Sequence, residues 1–490
     1  MCADSYGKAA PYLVALAKSP PKIEIEYERG HAFMASTKRG RGLRTLVVLK
    51  SRPKGRPYCS HAFPKCEEEK IMMRPALILA VFSVLLVGAG PALTQQNVIK
   101  IGALYPLTGN LAATGRDCKR GVDLAVEIIN GKYELNLPLA TQEGIPNLDH
   151  AKIEVVYADT KGDPKTGLAE AERLITEEKV VALIGAYQSA VTKTASQAAE
   201  RLKIPFVCSD SSSPTLTERG FQYFFRVGAH DGTTARNQFE FLKDLEAKKG
   251  VKVKTVALVY ENTEFGSNVA KMQRNYANEF GYDVVADIAY PANASDVTSE
   301  VGQIIAAKPD VVMHAAYITD AILFTKTFKE MNLVPQGFLN AAGYIESDYL
   351  PTVKADGNYF FVRSDFALDL ANKKPLVSQV ADLYQKKYNI PMGVTPARSF
   401  SAPFVLADAF NRAKSTDSEA VVKALLTTNI PGDEIINPWK GIQFDPKTHQ
   451  NIYASAMLVQ IQDQAYYTVW PFDAASRDVV WPFPAWKDRK

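Results

Sequence analysis

From residue 98 onward, short β-branched and apolar runs alternate with longer stretches whose apolar residues recur at helical spacing. Val98 to Leu104 reads as a strand, and residues 116–130 place Val122, Leu124, Ala125 and Ile128 on one helical face. Further strands are predicted at 153–157, 180–184 and 204–208, with helices over 164–178 and 189–202 between them. After Tyr223-Phe224-Phe225-Arg226-Val227 the pattern starts again. It predicts helices over 233–248, 266–280, 295–307 and 320–331, alternating with strands at 255–260, 284–288, 310–314 and 337–340. The last section predicts a strand at 358–362, helices over 375–387, 400–413 and 418–426, and a hairpin of 454–461 with 465–470. Strands regularly separated by helices imply α/β structure with a parallel sheet covered on both faces. Two such halves of similar size predict a ligand cleft between two lobes.

The front of the chain has a different character. Arg74 is followed by an uncharged apolar run from Ala76 to Val87 and by small residues at Gly90 and Ala92. This pattern predicts a secretory signal over 72–92, removed after Ala92. Residues 1–71 precede it as a basic extension that is either an upstream misreading or a basic arm.

Charge changes the picture once the chain is divided there. The formal net charge is +4 over 490 residues, yet residues 1–70 hold 14 Lys+Arg against 7 Asp+Glu and Arg74 adds one more. Subtracting that +8 from +4 leaves −4 from residue 93 on. A mildly acidic body predicts no nucleic-acid partner. Only Cys118 and Cys208 remain in that body, too few for a disulfide scaffold.

Candidate chemistry lies in loops at the carboxyl ends of strands. Gly185-Ala186-Tyr187-Gln188-Ser189 leads into a helix with Ser189 placed as its N-cap, where a hydroxyl and free N–H groups hold a carboxylate. Ser209-Asp210-Ser211-Ser212-Ser213-Pro214 follows the next strand, with Pro214 suited to a first helical position. Each serine alone is also readable as a plain cap. His150, His230, His314 and His449 are isolated, without zinc spacing. There is no Gly-x-Ser-x-Gly elbow and no phosphate-binding loop, so no enzyme, metal or cofactor is expected.

The run Ile101-Gly102-Ala103-Leu104-Tyr105-Pro106-Leu107-Thr108-Gly109, followed by Gly115, Gly121-Val122-Asp123-Leu124-Ala125 and Ile129-Asn130, resembles the opening of the Leu/Ile/Val-binding periplasmic proteins. The likeness continues through Asp163-Pro164, Ile184-Gly185 with Ser189, Leu216-Thr217-Glu218-Arg219-Gly220, Phe265-Gly266 and the closing hairpin. It implies a type I periplasmic-binding-protein fold, with two doubly wound lobes joined by three crossings near 227–230, 362–366 and 442–452. Lobe 1 is expected over 93–228 with 364–446, and lobe 2 over 229–363 with 447–490.

The resemblance further implies a monomeric periplasmic receptor that takes a small solute, an amino acid or related carboxylate, and delivers it to the membrane permease of an ATP-driven importer. A ligand-sensing protein of a signalling system is the alternative. The chain ends at Lys490 without a following membrane span, which favours transport. Family positions put Ser189 and Ser212, with Ser211 in the same loop, at the ligand carboxylate, and Phe265 and Tyr317 over the ligand. Asp210 replaces the family's usual small residue. The loop that supplies an acid for the ligand ammonium in relatives reads Ala341-Ala342-Gly343-Tyr344 here, so Asp210 either takes over the ammonium or the ligand has none. Arg398 is expected as a second anion partner or as a solvated surface side chain. A bridge that some relatives form in the first lobe is absent, its positions being held by Lys161 or its neighbours and by Gln188.

Overall fold

The computed structural model of the protein describes residues 97–489 and, ahead of them, only the backbone of an antiparallel pair, Ile23–Glu24 with Ser36–Thr37. The chain falls into two units, Met1–Ala92 and Leu93–Lys490. Beyond that pair, the basic extension and the export signal lie outside the described residues.

In the second unit the apolar runs become strands whose neighbours cover both faces. The first half forms β1 (Val98–Tyr105), α1 (Ala112–Asn130), β2 (Lys152–Asp159), α2 (Pro164–Thr176) and β3 (Ala182–Gly185). It continues with α3 (Ser189–Arg201), β4 (Phe206–Cys208) and β5 (Phe224–Arg226). All pairs in this sheet are parallel, in the order β2-β1-β3-β4-β5. Central β3 is buried throughout, as a strand with helices on both faces must be, while edge strand β2 fully buries only Ile153 and Ala158.

The second half repeats the plan. It comprises α4 (Asp231–Lys249), β6 (Thr255–Glu261), α5 (Glu264–Phe280), β7 (Asp283–Tyr290), α6 (Thr298–Ala307) and β8 (Val311–Ala316). Then come α7 (Ile318–Glu330), β9 (Gly337–Ala342), the short α8 (Tyr349–Val353) and β10 (Phe361–Ser364). These strands lie parallel in the order β7-β6-β8-β9-β10, the same winding as the first sheet. In each lobe the strand order therefore reverses beside the first strand, at β1/β3 and at β6/β8. Open sheets bind ligands at the carboxyl ends of the strands beside such a reversal.

The remaining chain returns to both lobes. Helices α9 (Pro375–Tyr388), α10 (Val394–Ala413) and α11 (Ser418–Leu426) precede a short pair, β11 (Ile430–Pro431) with β12 (Gly441–Ile442). Helix α10 lies against α1 so closely that a Cβ on Gly121 would stand 2.1 Å from the Pro396 carbonyl oxygen. It begins at Val394, six residues before the sequence-based expectation, because Pro396 falls in the first turn, where a missing N–H costs nothing. Residues 449–451 still bond to Arg226 at the end of β5. The chain then enters the second sheet as the antiparallel hairpin β13 (Met457–Gln462) and β14 (Ala465–Trp470), with β13 beside β10. Cys118 and Cys208 are both buried free thiols. Among the described residues no helix is long and apolar enough to cross a membrane.

Candidate functional site

The carboxyl ends of the two sheets face each other, and their loops meet. From the first lobe come the β3–α3 loop and residues 209–213 after β4. Gly185 ends β3 at φ +107°, and a Cβ there would stand 2.3 Å from the Leu104 carbonyl oxygen, so glycine alone fits the turn that presents Tyr187. From the second lobe come Phe265 in the first turn of α5, Tyr317 just before α7, and Glu346 in the loop after β9.

Aromatic rings file across the interface. Tyr187 and Tyr317 have ring centroids 5.7 Å apart, Tyr317 and Phe265 stand 5.3 Å apart, and the Arg363 guanidinium lies 5.6 Å from the Phe265 ring. This brings Phe265 and Tyr317 together and adds Tyr187 from the opposite lobe. A flat apolar solute body suits such a surface.

At one end of the file is Glu346, 2 % exposed, which accepts from Tyr187 Oη at 2.6 Å and from Thr395 Oγ1 at 3.0 Å. Burial pushes its carboxyl up to about 7. The sequence reading missed this residue. The loop after β9 does supply an acid to the cleft, two residues beyond the Ala341-to-Tyr344 stretch, because the short turn Gly343–Ile345 curls the chain inward.

At the other end is a cavity with room for about 10 Å³, the volume that one water needs. Asp210, Ser212, Thr234, Arg363, Asp365 and Arg398 line it. Asp210 accepts from Ser209 Oγ at 2.9 Å and Ser399 Oγ at 3.0 Å, with Tyr105 Oη at 3.5 Å. Burial raises its carboxyl to about 6 despite these donors. Arg363 stands 3.1 Å from Asp231 in a fully buried ion pair and donates to Thr234 Oγ1 at 2.8 Å and Ser212 Oγ at 3.3 Å. Arg398 bonds Asp365 through Nε at 2.7 Å. Its side chain is only 14 % exposed, so it is no solvated surface arginine. Arg363, Asp365 and Asp231 were not singled out from sequence, although two opposite charges at the end of the apolar run 358–362 are a readable signal.

The serines are arranged differently from expectation. The N-cap of α3 is Gln188, in extended conformation and without a side-chain cap bond, so Ser189 is the first helical residue. Its hydroxyl accepts the Ser213 N–H at 3.2 Å, which binds the β3 loop to the β4 loop. Ser211 Oγ donates toward the carbonyl oxygens of Ala186 and Tyr187 and also meets Thr192 Oγ1. Ser212 alone of the three faces the cavity. Pro214 does open a short 3₁₀ turn. Gln188 lies beside Gly162, the neighbour of Lys161, and donates to its carbonyl oxygen at 3.3 Å. Among the described residues no group of three His, Cys, Asp or Glu side chains is placed to hold a metal ion.

Further bonds join the lobes at the rim. Glu264 on α5 meets Lys193 Nζ at 2.9 Å, Thr215 Oγ1 at 2.6 Å and Ser213 Oγ at 3.2 Å. Asn110 donates to Asn293 at 3.0 Å, and Ser347 bonds Asp117 on α1.

Comparison with known proteins agrees with this geometry. The chain is 30 % identical over 419 residues to Leu/Ile/Val-binding protein homolog 7 of Brucella suis biovar 1, covering 84 % of this chain and all of that one. It is 27 % identical over 387 residues to Leu/Ile/Val-binding protein homolog 8 of Brucella abortus, covering 77 % and 91 %. Among solved structures, a leucine-binding protein of Thermotoga maritima superposes with a TM-score of 0.65 at 22 % identity, over 76 % of this chain and 99 % of that one. The isoleucine complex of a branched-chain amino acid transporter substrate-binding protein of Streptococcus pneumoniae gives 0.63 at 21 %, over 79 % and 100 %. The family model described as periplasmic binding protein matches residues 98–465, and the chain belongs to that family of solute-binding proteins.

Proposed function

We propose that the protein is the extracytoplasmic receptor of an ATP-driven importer. It captures a small amino acid or a related carboxylate between its lobes and delivers it to a membrane permease. The observation that carries this reading is the meeting of two matched strand-order reversals over one sealed band of aromatic and charged side chains, Tyr187, Tyr317, Phe265, Arg363 and Asp210. The cavity beside Arg363 and Asp210 has room for no more than a water and the aromatic rings are buried, so the band must part to admit a solute and binding requires the lobes to separate and close again. Export of the mature chain after Ala92, a monomeric state, and lobes bounded near 228, 364 and 452 complete the reading.

Thermal-shift screening of the mature protein against amino acids, amides and small carboxylic acids tests it, since a ligand that binds only the folded state raises Tm by mass action. A solute of this size that stabilises the protein and lowers its radius of gyration in solution supports the receptor. Failure of every small solute to do either would remove it.

A further inference from the structure

The hydroxyls that the sequence reading assigns to a ligand carboxylate are largely spent inside the first lobe. Ser189 Oγ accepts the Ser213 N–H, Ser211 Oγ serves the backbone of the β3 loop, and neither lines the cavity. Two guanidinium groups stand where an anion would have to sit. Arg398 uses Nε on Asp365, and among the described residues its two terminal NH₂ groups have no hydrogen-bond partner. Arg363 is 4 % exposed, and its Nε is buried without a partner. A guanidinium carries five N–H donors and no acceptor, so Arg398, which lines the cavity, keeps its terminal N–H groups unpartnered beside the buried, unpaired Nε of Arg363. Leaving buried donors unpaired is costly, and an anion in that space removes the cost. The nearby acids do not serve. Asp365 is bonded to Arg398 Nε, Asp231 stands 3.1 Å from Arg363 on the α4 side with its two oxygens buried and without a hydrogen-bond partner, and Asp210 already accepts from Ser209 and Ser399.

We propose that Arg398 and Arg363, with Ser212, form the subsite that grips the solute's carboxylate in place of Ser189, so that the substrate is a carboxylate whose apolar body lies along the Tyr187, Tyr317 and Phe265 rings. The inference rests on the receptor reading above and narrows it. Arg398 sits on α10, which packs on α1 of the first lobe, whereas Arg363 ends β10 in the second sheet. A carboxylate between them therefore ties the two lobes together, and planar two-donor recognition suits arginine better than a hydroxyl pair. Phe265, already under the Arg363 guanidinium, continues the ring file directly to the anion.

The test uses the mature protein and titration calorimetry with a fixed panel. The panel holds the twenty amino acids, 4-methylpentanoate, 4-hydroxybenzoate, L-leucinamide, acetamide and urea. The variants are Arg398→Gln, Ser189→Ala, and the double variant Arg398→Gln with Asp365→Asn, which leaves no unpaired charge behind. Every panel member that binds should carry a carboxylate. Its affinity should fall by about 30-fold or more in both Arg398 variants and by less than about 3-fold in Ser189→Ala. The Tm of the unliganded double variant should stay near that of the wild type, which separates lost binding from lost folding. Loss in Ser189→Ala equal to or greater than loss in the double variant overturns the subsite. Binding of leucinamide, acetamide or urea without any carboxylate overturns the substrate class. Both of these leave the receptor reading standing. A panel with no binder at all overturns the carboxylate class and turns the question back on the receptor reading itself, which the wider solute screen decides.

Discussion

Glu346 accepts a 2.6 Å hydrogen bond from the Tyr187 hydroxyl across the cleft. One residue belongs to the loop after β9, the other to the loop after β3, so separation of the lobes would break the bond. Burial, with Asp117 nearby, raises the carboxyl from its ordinary 4.5 to about 7. The closed form thus holds this proton more tightly than an open form in which the carboxyl meets water. Its contribution to closure is complete below about pH 4.5 and is lost as pH rises through 7. Small-angle scattering of the unliganded protein should give a larger radius of gyration at pH 8 than at pH 5. Glu346→Gln should keep the smaller radius at pH 8, and identical radii for the wild type at both values would defeat the latch.

Asp210 is bonded by side-chain hydroxyls, from Ser209 and Ser399, and not by the backbone of its own turn. Its carboxyl is raised by burial to about 6, so the stability it contributes is present below about pH 4 and lost as pH rises through 6. Asp210→Asn should therefore gain in Tm relative to the wild type at pH 8, gain less at pH 5, and not gain at pH 3.5. If Asp210 pairs with a ligand ammonium, the variant should weaken an amino acid by well over 10-fold, about 2 kcal/mol or more, and spare an acid lacking the amine. Calorimetry with L-leucine and 4-methylpentanoate compares the two, and equal small losses would assign Asp210 to the fold alone.

Periodicity carried the strands and helices because both lobes repeat one local pattern, and Phe265 and Tyr317 come within 5.3 Å of each other because each follows a strand end of the second sheet. The charged part of the cleft was less legible. Glu346 enters through a turn whose direction is set by packing of Gly343 against the Tyr317 and Ile318 backbone, a contact between segments far apart in sequence. Arg398 reads as exposed because no local signal tells that α10 begins six residues earlier and buries its first turns against α1. Ser189 misled for the opposite reason. A serine before a helix suggests a cap, yet its hydroxyl is claimed by Ser213, 24 residues away.

Glu264 gathers three partners at the cleft rim, Lys193, Thr215 and Ser213, all on the opposite lobe. Burial works against its charge, but Lys193 and Thr215 outweigh it and hold the carboxyl below the ordinary glutamate value. Its contribution is therefore present above about pH 4.5 and lost as pH falls below that. The Lys193 side chain is 43 % exposed, so solvent screens the pair. Glu264→Ala should raise the dissociation rate of any confirmed solute about 3- to 10-fold with little change in association. Stopped-flow tryptophan fluorescence measures both. A change confined to the association rate would contradict a closing role.

Phe483 anchors the C-terminal segment on the second lobe, away from the cleft. Its ring packs 4.7 Å from Phe338, 5.6 Å from Phe360 and 5.5 Å from Trp486, and the Arg489 guanidinium lies 3.8 Å from it. Truncating a buried phenylalanine costs about 3–5 kcal/mol, lost burial and the cavity together. Phe483→Ala should lower Tm clearly and leave solute affinity unchanged. A variant with wild-type Tm would mean that the segment adds nothing to the fold.

His314 lies at the centre of β8, fully buried between two tyrosine hydroxyls, Tyr290 Oη at 2.9 Å from Nε2 and Tyr344 Oη at 2.6 Å from Nδ1. Desolvation alone pushes its pKa from 6.5 down to about 3, so the ring is neutral in the folded protein. The stability this represents is fully present above pH 6.5 and is lost as pH falls from 6.5 toward 3, because the unfolded chain takes up a proton that the native ring refuses. Down to pH 4 this amounts to about 3 kcal/mol. Glu346 and Asp210 titrate in the opposite sense between about pH 4 and 7, so the wild-type curve is a sum and does not isolate the histidine. His314→Gln isolates it. Glutamine keeps a donor and an acceptor for the tyrosines but binds no proton, so the variant should be less stable than the wild type at pH 7.5 and close much of that gap by pH 4. Urea unfolding of both proteins at pH 7.5, 6, 5 and 4 gives the gap directly. A gap that stays constant over that range would show that the His314 pKa is the same in the folded and unfolded chain.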